Sequence, residues 1–270
     1  MKLSIIILDF AKSTRALENI AALLRQKTNF DFEIVVAVNA ATDAKKQKFA
    51  GLVSQPKIKL IFNTENLGYP RGINEAVKKS SGEILAIVNP DIICREENSL
   101  QKLVDFFARD AEIGVLAPRQ IRDTDGATEM TMRAFPKLSN QVARRTFLRR
   151  LPILRERVAY DECRDLDLAQ IQKVDWLQSS FWLVARDLWE ELGGLDERFF
   201  LFMSDPDFCR RTWEANKTVV FLPEVTVAAD GVRCSSGGFL AFFQKWTLRQ
   251  HLRDAWKYSR KWRGKKSPRN

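Results

Sequence analysis

Short apolar runs alternate with longer amphipathic segments along the first 120 residues of the chain. The predicted strands cover residues 4–8, 33–38, 58–62, 83–88 and 113–117. Between them, apolar side chains recur at helical spacing, which predicts helical segments over residues 14–26, 74–79 and 100–109. Strands that alternate with helices indicate βαβ units. We therefore predict an α/β fold in which helices cover both faces of a mixed, mainly parallel sheet.

The pattern changes in the second half of the chain. Residues 174–184 form an apolar, strand-like run, and residues 186–192 are a predicted helix that two glycines end. An aromatic cluster then leads into Asp205-Pro206-Asp207. Carboxylates beside buried rings suit acid–base chemistry, because burial favours the protonated form. The same tripeptide also suits a helix N-terminus with an acidic first turn, and both interpretations stay open.

Polar residues follow two of the predicted strands. In sheets of this class, ligands bind beyond the carboxyl ends of the strands. The third strand leads into the turn-rich stretch 63–74, and the fourth leads into Asn89-Pro90-Asp91. A carboxylate placed there suits a hard cation that bridges to a diphosphate. Asn-Pro-Asp is also an ordinary turn sequence, and that alternative stays open.

These segments, in their order and spacing across residues 3–236, resemble the inverting glycosyltransferases of family 2, in particular the bacterial rhamnosyltransferase-like branch. The segments that carry the resemblance are Asn66-Leu67-Gly68-Tyr69, Asn74, Asn89-Pro90-Asp91, Gly193-Gly194-Leu195-Asp196-Glu197-Arg198-Phe199-Phe200 and Asp205-Pro206-Asp207-Phe208-Cys209-Arg210-Arg211. The resemblance implies a GT-A fold with a Rossmann-like nucleotide-binding sheet, a nucleotide-sugar donor and a divalent cation, Mg²⁺ or Mn²⁺.

The resemblance and the distribution of charge together predict a domain organisation. Residues 1–236 would form the glycosyltransferase domain, with a nucleotide-sugar half over 1–120 and an acceptor half over 121–236. Residues 237–270 would form a basic amphipathic C-terminal tail.

The resemblance implies a role for each matched residue. Asp205 corresponds to the general base that deprotonates the acceptor hydroxyl, and Asp91 and Asp230 correspond to metal ligands. Contacts to the donor or acceptor are expected from Asp9, Asn39, Asn66, Gly68, Tyr69, Arg71, Asn74, Asn89, Asp207 and Arg211.

Four positions depart from the family pattern. Asp9 stands where relatives usually have Asn, and Val38 replaces the Asp that usually meets the nucleotide base. Ser204 replaces the Glu of a Glu-Asp pair, and Asp230 stands at a metal-associated His position, where it still offers oxygen ligands. These departures lie at positions that the resemblance links to base recognition and metal binding.

The charge of the chain is unevenly distributed. The 270 residues have a formal net charge of +10, yet residues 237–270 carry ten Lys/Arg and one Asp, and residues 133–157 carry eight Lys/Arg and one Glu. The rest of the chain is therefore acidic. Trp246, Trp256 and Trp262 interleave with the basic residues of the tail, a pattern typical of an interfacial helix on anionic lipid. The alternative is a solvated tail packed on the domain. Nucleic-acid binding is disfavoured, because no recognition motif is present.

Several other classes of protein are disfavoured. No apolar run approaches the roughly 20 residues that cross a bilayer, and residues 1–9 suit a first strand better than a signal peptide. The cysteines form no Cys-x-x-Cys pair, and with one His in the chain a zinc site is disfavoured. Scattered thiols fit the cytoplasm. We expect a cytoplasmic protein, peripheral on the inner face of the plasma membrane.

The resemblance thus predicts an inverting glycosyltransferase of cell wall polysaccharide biosynthesis. We expect it to move L-rhamnose from dTDP-rhamnose onto a hydroxyl of a lipid-linked or polysaccharide acceptor, with a divalent metal and an Asp general base. One alternative is a transferase that uses a UDP-hexose. The other is a non-catalytic relative that binds a sugar nucleotide or a glycan.

Overall fold

The computed structural model describes residues 2–137, 152–232 and 246–269. The middle of the basic segment 133–157 and the first part of the basic tail, residues 237–245, lie outside the described residues. The same holds for Cys234.

The first half of the chain alternates strands and helices, as predicted. Its elements are β1 (Lys2–Asp9), α1 (Ser13–Leu24), β2 (Asp31–Val38), α2 (Asp43–Phe49) with a following 3₁₀ turn (Ala50–Leu52), β3 (Ile58–Phe62), α3 (Tyr69–Lys78), β4 (Ile84–Val88), α4 (Ser99–Ala108) and β5 (Ile113–Arg122). Helix α3 begins well before its predicted start, because Pro70 occupies its first turn, where a missing N–H costs no hydrogen bond.

The second half contains shorter strands. Its elements are β6 (Thr128–Glu129), β7 (Met132–Arg133), α5 (Pro152–Asp161), β8 (Gln172–Lys173), β9 (Trp176–Leu177), β10 (Phe181–Ala185), α6 (Arg186–Glu191), α7 (Ser204–Glu214), β11 (Thr218–Ala229) and α8 (Trp246–Lys261). The single strand predicted over 174–184 is wrong. That segment passes through β9 and β10, because β9 pairs with β7 while β10 enters the main sheet. The twelve-residue strand β11 was not predicted.

The main sheet has the strand order β3-β2-β1-β4-β10-β5-β11-β8, with β6 on β5. Strands β1 to β4 are parallel and β11 is parallel to β5, whereas β10 is antiparallel to both of its neighbours. The predicted mixed, mainly parallel sheet is confirmed. Because β10 is antiparallel to β4, with Phe181 opposite Val88, the residues before β10 lie at the carboxyl end of β4.

Each face of the sheet is covered by helices. Ile5 and Ile7 of β1 point to one face and share a core with α1 and α4, whereas Ile6 points to the other and shares a core with α3, α6 and α7. This alternation follows from the two-residue period of a strand. The prediction of helices on both faces is confirmed.

Helix α8 packs on the segment that precedes α7. Tyr258 and Trp262 form a small core with Phe199 and Met203. The buried carboxylate of Asp254 accepts hydrogen bonds from the N–H groups of residues 200–202. The described part of the tail is therefore docked on the body of the protein. None of the helices in the described ranges is long and apolar enough to cross a bilayer.

Candidate active site

Five of the predicted site residues lie at one edge of the sheet. Asp9 ends β1, Asn39 follows β2, Asn89 and Asp91 follow β4, and Asp230 follows β11. The segment after β4 pairs with the end of β11, since the backbones of residues 93 and 228 exchange two hydrogen bonds of 2.8 and 2.9 Å. This pairing brings the two predicted metal ligands together.

The carboxylates of Asp91 and Asp230 converge on the ammonium group of Lys12. Lys12 Nζ lies 3.0 Å from Asp91 Oδ2 and 2.6 Å from Asp230 Oδ2. The side chains are 26%, 14% and 24% exposed for Lys12, Asp91 and Asp230, respectively. Sequence reasoning missed Lys12. A signal was available, because a lysine directly before a helix places its charge at the positive end of the helix dipole and needs a compensating partner.

The three groups shift one another's proton affinity. Burial raises the pKa of Asp91, and the neighbouring Asp230 adds to this effect, while Lys12 opposes it. Burial also disfavours charge on Asp230, but hydrogen bonds from Lys12 and from the N–H of Val232 outweigh it and lower the pKa of Asp230. The pKa of Lys12 is raised, because its two carboxylate partners outweigh its burial.

The donor set suits a hard divalent ion that is shared with a diphosphate. Asp91 and Asp230 supply oxygen ligands, and Mg²⁺ is usually held by one or two carboxylates together with substrate phosphates and water. No group of three or more His, Cys, Asp or Glu side chains able to hold a metal is found within the described ranges. Two carboxylates fit an ion that arrives with a phosphate ligand.

Asp9 is buried beneath this cluster and organises the start of α1. Its Oδ1 accepts the N–H of Lys12 at 2.9 Å, and its Oδ2 accepts the hydroxyl of Ser13 at 2.7 Å. Both oxygens of Asp9 are thus engaged within the protein, and they fix the backbone from which Lys12 extends.

A set of asparagines shapes the loops after β2 and β3. Asn39 accepts a 3.0 Å hydrogen bond from Asn63 and donates to the carbonyl of Gly68 at 3.2 Å, while Asn66 accepts the N–H of Gly68 at 3.1 Å. Gly68 has a φ of +76°, and a Cβ there would lie 2.4 Å from the carbonyl oxygen of Phe200. Glycine is therefore required at this turn. Val38, at the end of β2, is buried in the core.

Asp205 lies in the first turn of α7 and is tied to the segment before β10. Its Oδ2 accepts the N–H of Ser179 at 3.2 Å, and its Oδ1 accepts the hydroxyl of Ser204 at 3.2 Å. Burial raises the pKa of Asp205, although these two hydrogen bonds act in the opposite direction. A carboxylate with a raised pKa is a better proton acceptor than an ordinary one.

Tyr69 and Ser179 complete the surroundings of Asp205. The Tyr69 hydroxyl lies 2.8 Å from Ser179 Oγ and 3.0 Å from the Ser179 carbonyl oxygen. Burial raises the pKa of Tyr69, and the charge of Asp205 adds to this effect. Ser179 was missed in the sequence, because it lies inside the single strand predicted over 174–184, whereas in the structure it lies between β9 and β10. Only the antiparallel insertion of β10 brings it to this edge.

The surroundings of Asp205 and of Asp91 meet where β4 and β10 pair. The N–H of Asn89 donates to the carbonyl of Ser180 at 2.8 Å, directly beside the Ser179 that binds Asp205. Gln120 of β5 donates to the Ser180 hydroxyl at 2.6 Å. The sheet thus places the predicted base and the predicted metal ligands on two sides of one junction.

Three of the residues predicted to contact the donor or acceptor form hydrogen bonds or ion pairs with other groups of the protein. Asn74 is buried and bonds to the backbone of Leu195 and to Glu197. Asp207 is buried and bonds to Arg211, Lys261 and Trp262 at 2.9, 2.6 and 2.9 Å. Arg211 also donates to the carbonyls of Leu192 and Gly194.

These contacts join α3, α7 and α8 around an open, charged cavity of about 370 Å³, lined by Asn74, Leu192, Gly193, Gly194, Leu195, Asp196, Glu197, Arg198, Arg211 and Lys261. Arg71, on the exposed side of α3, completes the set of predicted residues.

Comparison with known sequences gives a family match and a named relative. Residues 4–166 match the family described as Glycosyl transferase family 2. The N-acetylglucosaminyl-diphospho-decaprenol L-rhamnosyltransferase of Mycobacterium tuberculosis is 29% identical over 222 residues, which cover 78% of this chain and 70% of that protein.

Solved structures share the architecture. The mannosyltransferase PcManGT from Pyrobaculum calidifontis, in complex with GDP-Man and Mn²⁺, has a TM-score of 0.62 at 18% identity and aligns over 99% of this chain and 66% of its own. GalNAc-T7 with UDP, GalNAc and Mn²⁺ has a TM-score of 0.67 at 13% identity, over 98% of this chain and 48% of its own. TarS 1–349 of S. aureus in complex with UDP has a TM-score of 0.57 at 18% identity, over 85% and 60%. At these identities the likeness is one of fold, and it confirms the GT-A class. This chain spans no more than about two thirds of any of the three.

Proposed function

The chain belongs to glycosyl transferase family 2 and is a glycosyltransferase, and from this premise we propose that it moves L-rhamnose from dTDP-rhamnose to an acceptor hydroxyl with inversion. The observation that carries the proposal is the position of Asp205, a carboxylate of raised pKa at the same sheet edge as Asp91 and Asp230. The choice of rhamnose rests on the name of the mycobacterial relative. That name also supports a lipid-linked acceptor over a free polysaccharide.

Asp205 would act as the general base. Inversion by direct displacement needs a base on one side of the anomeric carbon and the leaving diphosphate on the other. The N–H of Ser179 and the hydroxyl of Ser204 orient the Asp205 carboxylate, and its burial strengthens its affinity for the acceptor proton.

The diphosphate would bind beside Asp91 and Asp230. These residues would hold Mg²⁺ or Mn²⁺, which when bound offsets the charge that builds on the diphosphate as the sugar leaves. Asp9 acts here through the backbone of Lys12 and through Ser13, and so positions the cluster.

The remaining predicted residues fall into two groups. Some are proposed to contact the substrate, and the others are proposed to support the residues of the site. The exposed Asn66 and Arg71 are proposed to contact the donor, and Asn89 to face the diphosphate. Asn39 and Gly68 shape the donor loop, and Tyr69 supports Ser179. We propose a supporting role for Asn74, Asp207 and Arg211, since each already binds protein groups.

A panel of nucleotide sugars tests the donor assignment. We expect the full chain to release dTDP from dTDP-rhamnose in the presence of Mg²⁺ or Mn²⁺ and a polyprenyl-diphosphate-GlcNAc acceptor. Faster release from a UDP-hexose would select the alternative donor. If the chain binds a donor by thermal shift but turns over none, the non-catalytic alternative, motivated by Val38, Ser204 and Asp230, replaces the proposal.

We further propose that α8 rests on an anionic membrane surface at the inner face of the plasma membrane. At about 100° per residue, one side of α8 packs on the body, and the opposite side presents an arc of aromatic, apolar and basic residues. That arc consists of Trp246, Arg249, Leu252, Arg253, Trp256, Arg260 and the following Arg263. Trp246, Leu252 and Trp256 are 45%, 37% and 56% exposed. Exposed tryptophan among arginines suits the lipid headgroup region.

A further inference from the structure

We propose that Lys12 is a built-in cation of the site, which competes with the divalent ion for Asp91 and Asp230. Its ammonium group contacts one oxygen of each carboxylate, at 3.0 and 2.6 Å. A divalent ion held by Asp91 and Asp230 would use the same carboxylate oxygens. Two cations on the same oxygens repel each other strongly in a partly buried site. The inference rests on the proposed function, because that function assigns the ion to these two carboxylates.

Hydrogen bonds to neighbouring residues fix the backbone of Lys12. Its N–H is held by the buried Asp9, whose other oxygen binds Ser13 at the start of α1. Its backbone carbonyl accepts the N–H of Ala16, the first helical hydrogen bond of α1. The Lys12 side chain therefore starts from a backbone that is fixed at the carboxyl end of β1.

Asp91 and Asp230 have anchors of their own, Asp91 at its backbone and Asp230 at its carboxylate. Arg15 donates to the carbonyl oxygen of Asp91 at 3.3 Å, and Arg15 is itself paired with Asp123. Asp230 Oδ1 accepts the N–H of Val232 at 2.9 Å, which leaves Oδ2 for Lys12. Because these anchors do not depend on an ion, Lys12 can keep Asp91 and Asp230 in place before one binds.

This arrangement has two consequences. Without a divalent ion, Lys12 neutralises carboxylates that would otherwise repel each other. When the ion binds, Lys12 must give up its contacts to the two carboxylates. The loss of these contacts makes the binding free energy of the ion less favourable. Metal affinity in the absence of donor is therefore weak, and removal of the lysine charge should strengthen it.

The test is a titration of the full chain with Mn²⁺ in the absence of nucleotide, with free Mn²⁺ measured by electron paramagnetic resonance. Lys12→Met should bind Mn²⁺ about tenfold more tightly than the wild type, the scale of one lost charge-assisted hydrogen bond. Lys12→Arg, which keeps the charge, should bind no more tightly than the wild type. Lys102→Met is the matched control, because Lys102 lies on α4 and forms an exposed pair with Glu96.

Thermal unfolding provides a second readout that does not depend on activity. In EDTA, Lys12→Met should melt below the wild type, and Mn²⁺ should raise its melting temperature by more than it raises that of the wild type. Lys12→Gln is a second neutral variant, to be used if Lys12→Met fails to fold.

The outcomes separate the inference from the proposed function. Equal or weaker Mn²⁺ binding by Lys12→Met than by the wild type would overturn the role of Lys12 and leave the transferase proposal intact. If neither protein binds Mn²⁺ and sugar transfer persists in EDTA, both the metal assignment and the role of Lys12 are overturned. Loss of transfer in Asp205→Asn tests only the role of Asp205 as the base. The Mn²⁺ titration contains no donor, so its result does not depend on that role.

Discussion

At the scale of single residues, the chemistry of Asp205 depends on a balance between burial and hydrogen bonding. Burial disfavours the charged form, and the Ser179 N–H and the Ser204 hydroxyl favour it. The result is a raised pKa, which suits a base that must accept a proton and release it again. The family resemblance predicts Glu at the position of Ser204, and a second carboxylate there would raise the pKa of Asp205 further.

The pH dependence of transfer follows from this balance. A base works only when it is deprotonated, so kcat/KM should rise with pH through the pKa of Asp205, above the range of an ordinary aspartate. Ser204→Ala removes a hydrogen bond that favours the carboxylate, so the acidic limb should move upward by about half a pH unit. Ser80→Ala, whose hydroxyl bonds to Val77 and Arg186 outside the site, should leave the limb in place. A limb that is unmoved or lowered in Ser204→Ala would contradict the assignment.

Sequence reasoning at this scale succeeded where a residue directly follows a parallel strand. Asp91 and Asn39 could be placed at the sheet edge, because the ends of parallel strands share an edge. Lys12 and Ser179 could not be placed in the same way. Lys12 reaches the site through a long side chain, and Ser179 reaches it only because β10 runs against its neighbours.

At the scale of elements, α8 combines a packed face with an exposed face of aromatic, apolar and basic residues. Tyr258 and Trp262 are buried against the segment before α7, while Leu252 and Trp256 face outward. The sequence displays both aromatic sets at helical spacing, and it could not tell which of them packs. Asp254, the one acidic residue of the tail, decides the orientation, because its carboxylate binds the backbone of residues 200–202.

Point variants test the membrane proposal better than truncation, since a truncated chain loses Tyr258 and Trp262 from the core. Leu252→Ser combined with Trp256→Ser should weaken binding to phosphatidylglycerol vesicles by at least about tenfold, because each side chain contributes apolar surface. Vesicle flotation measures the bound fraction. Wild-type binding should also fall as salt is added.

Val53→Ser is the control for this experiment, because Val53 is 71% exposed and lies outside α8, in the connection before β3. It should bind vesicles as the wild type does. Unchanged binding by the double variant would contradict the assignment of the α8 face.

The strands differ in how well the hydrophobic pattern of the sequence predicts them. Strands β1 to β5 could be predicted, because each contains a short apolar run. The runs of β1, β2 and β4 are buried on both faces, whereas the edge strand β3 is only partly buried. The division of residues 174–184 into β9 and β10 could not be predicted from the hydrophobic pattern. It depends on the strand with which each part pairs, β7 for β9 and β4 for β10. Strand β11 contains Pro223 beside a register shift between Leu222 and Thr226, a position where a missing N–H is tolerated.

At the scale of the whole molecule, the basic residues of α8 and the carboxylates of the candidate site lie in different parts of the protein. Asp91, Asp205 and Asp230 lie at the carboxyl edge of the sheet, in the acidic part of the chain, whereas the arginines of α8 lie on a helix packed against the segment before α7. An enzyme held at a lipid surface by a basic helix can meet a lipid-linked acceptor, while its donor arrives from solution. Under the membrane proposal, the net charge of +10 bears on the location of the protein, and under the proposed function the sheet edge bears on catalysis.

The central claim, that Asp205 is the base of a sugar transfer, is tested most directly by the rate of donor-dependent transfer in Asp205→Asn. We expect kcat to fall by at least about a hundredfold, the usual contribution of a general base, with donor binding by thermal shift retained. Asp43→Asn, at a fully exposed position of α2, should transfer at the wild-type rate. Transfer by Asp205→Asn at the rate of the wild type would contradict the account.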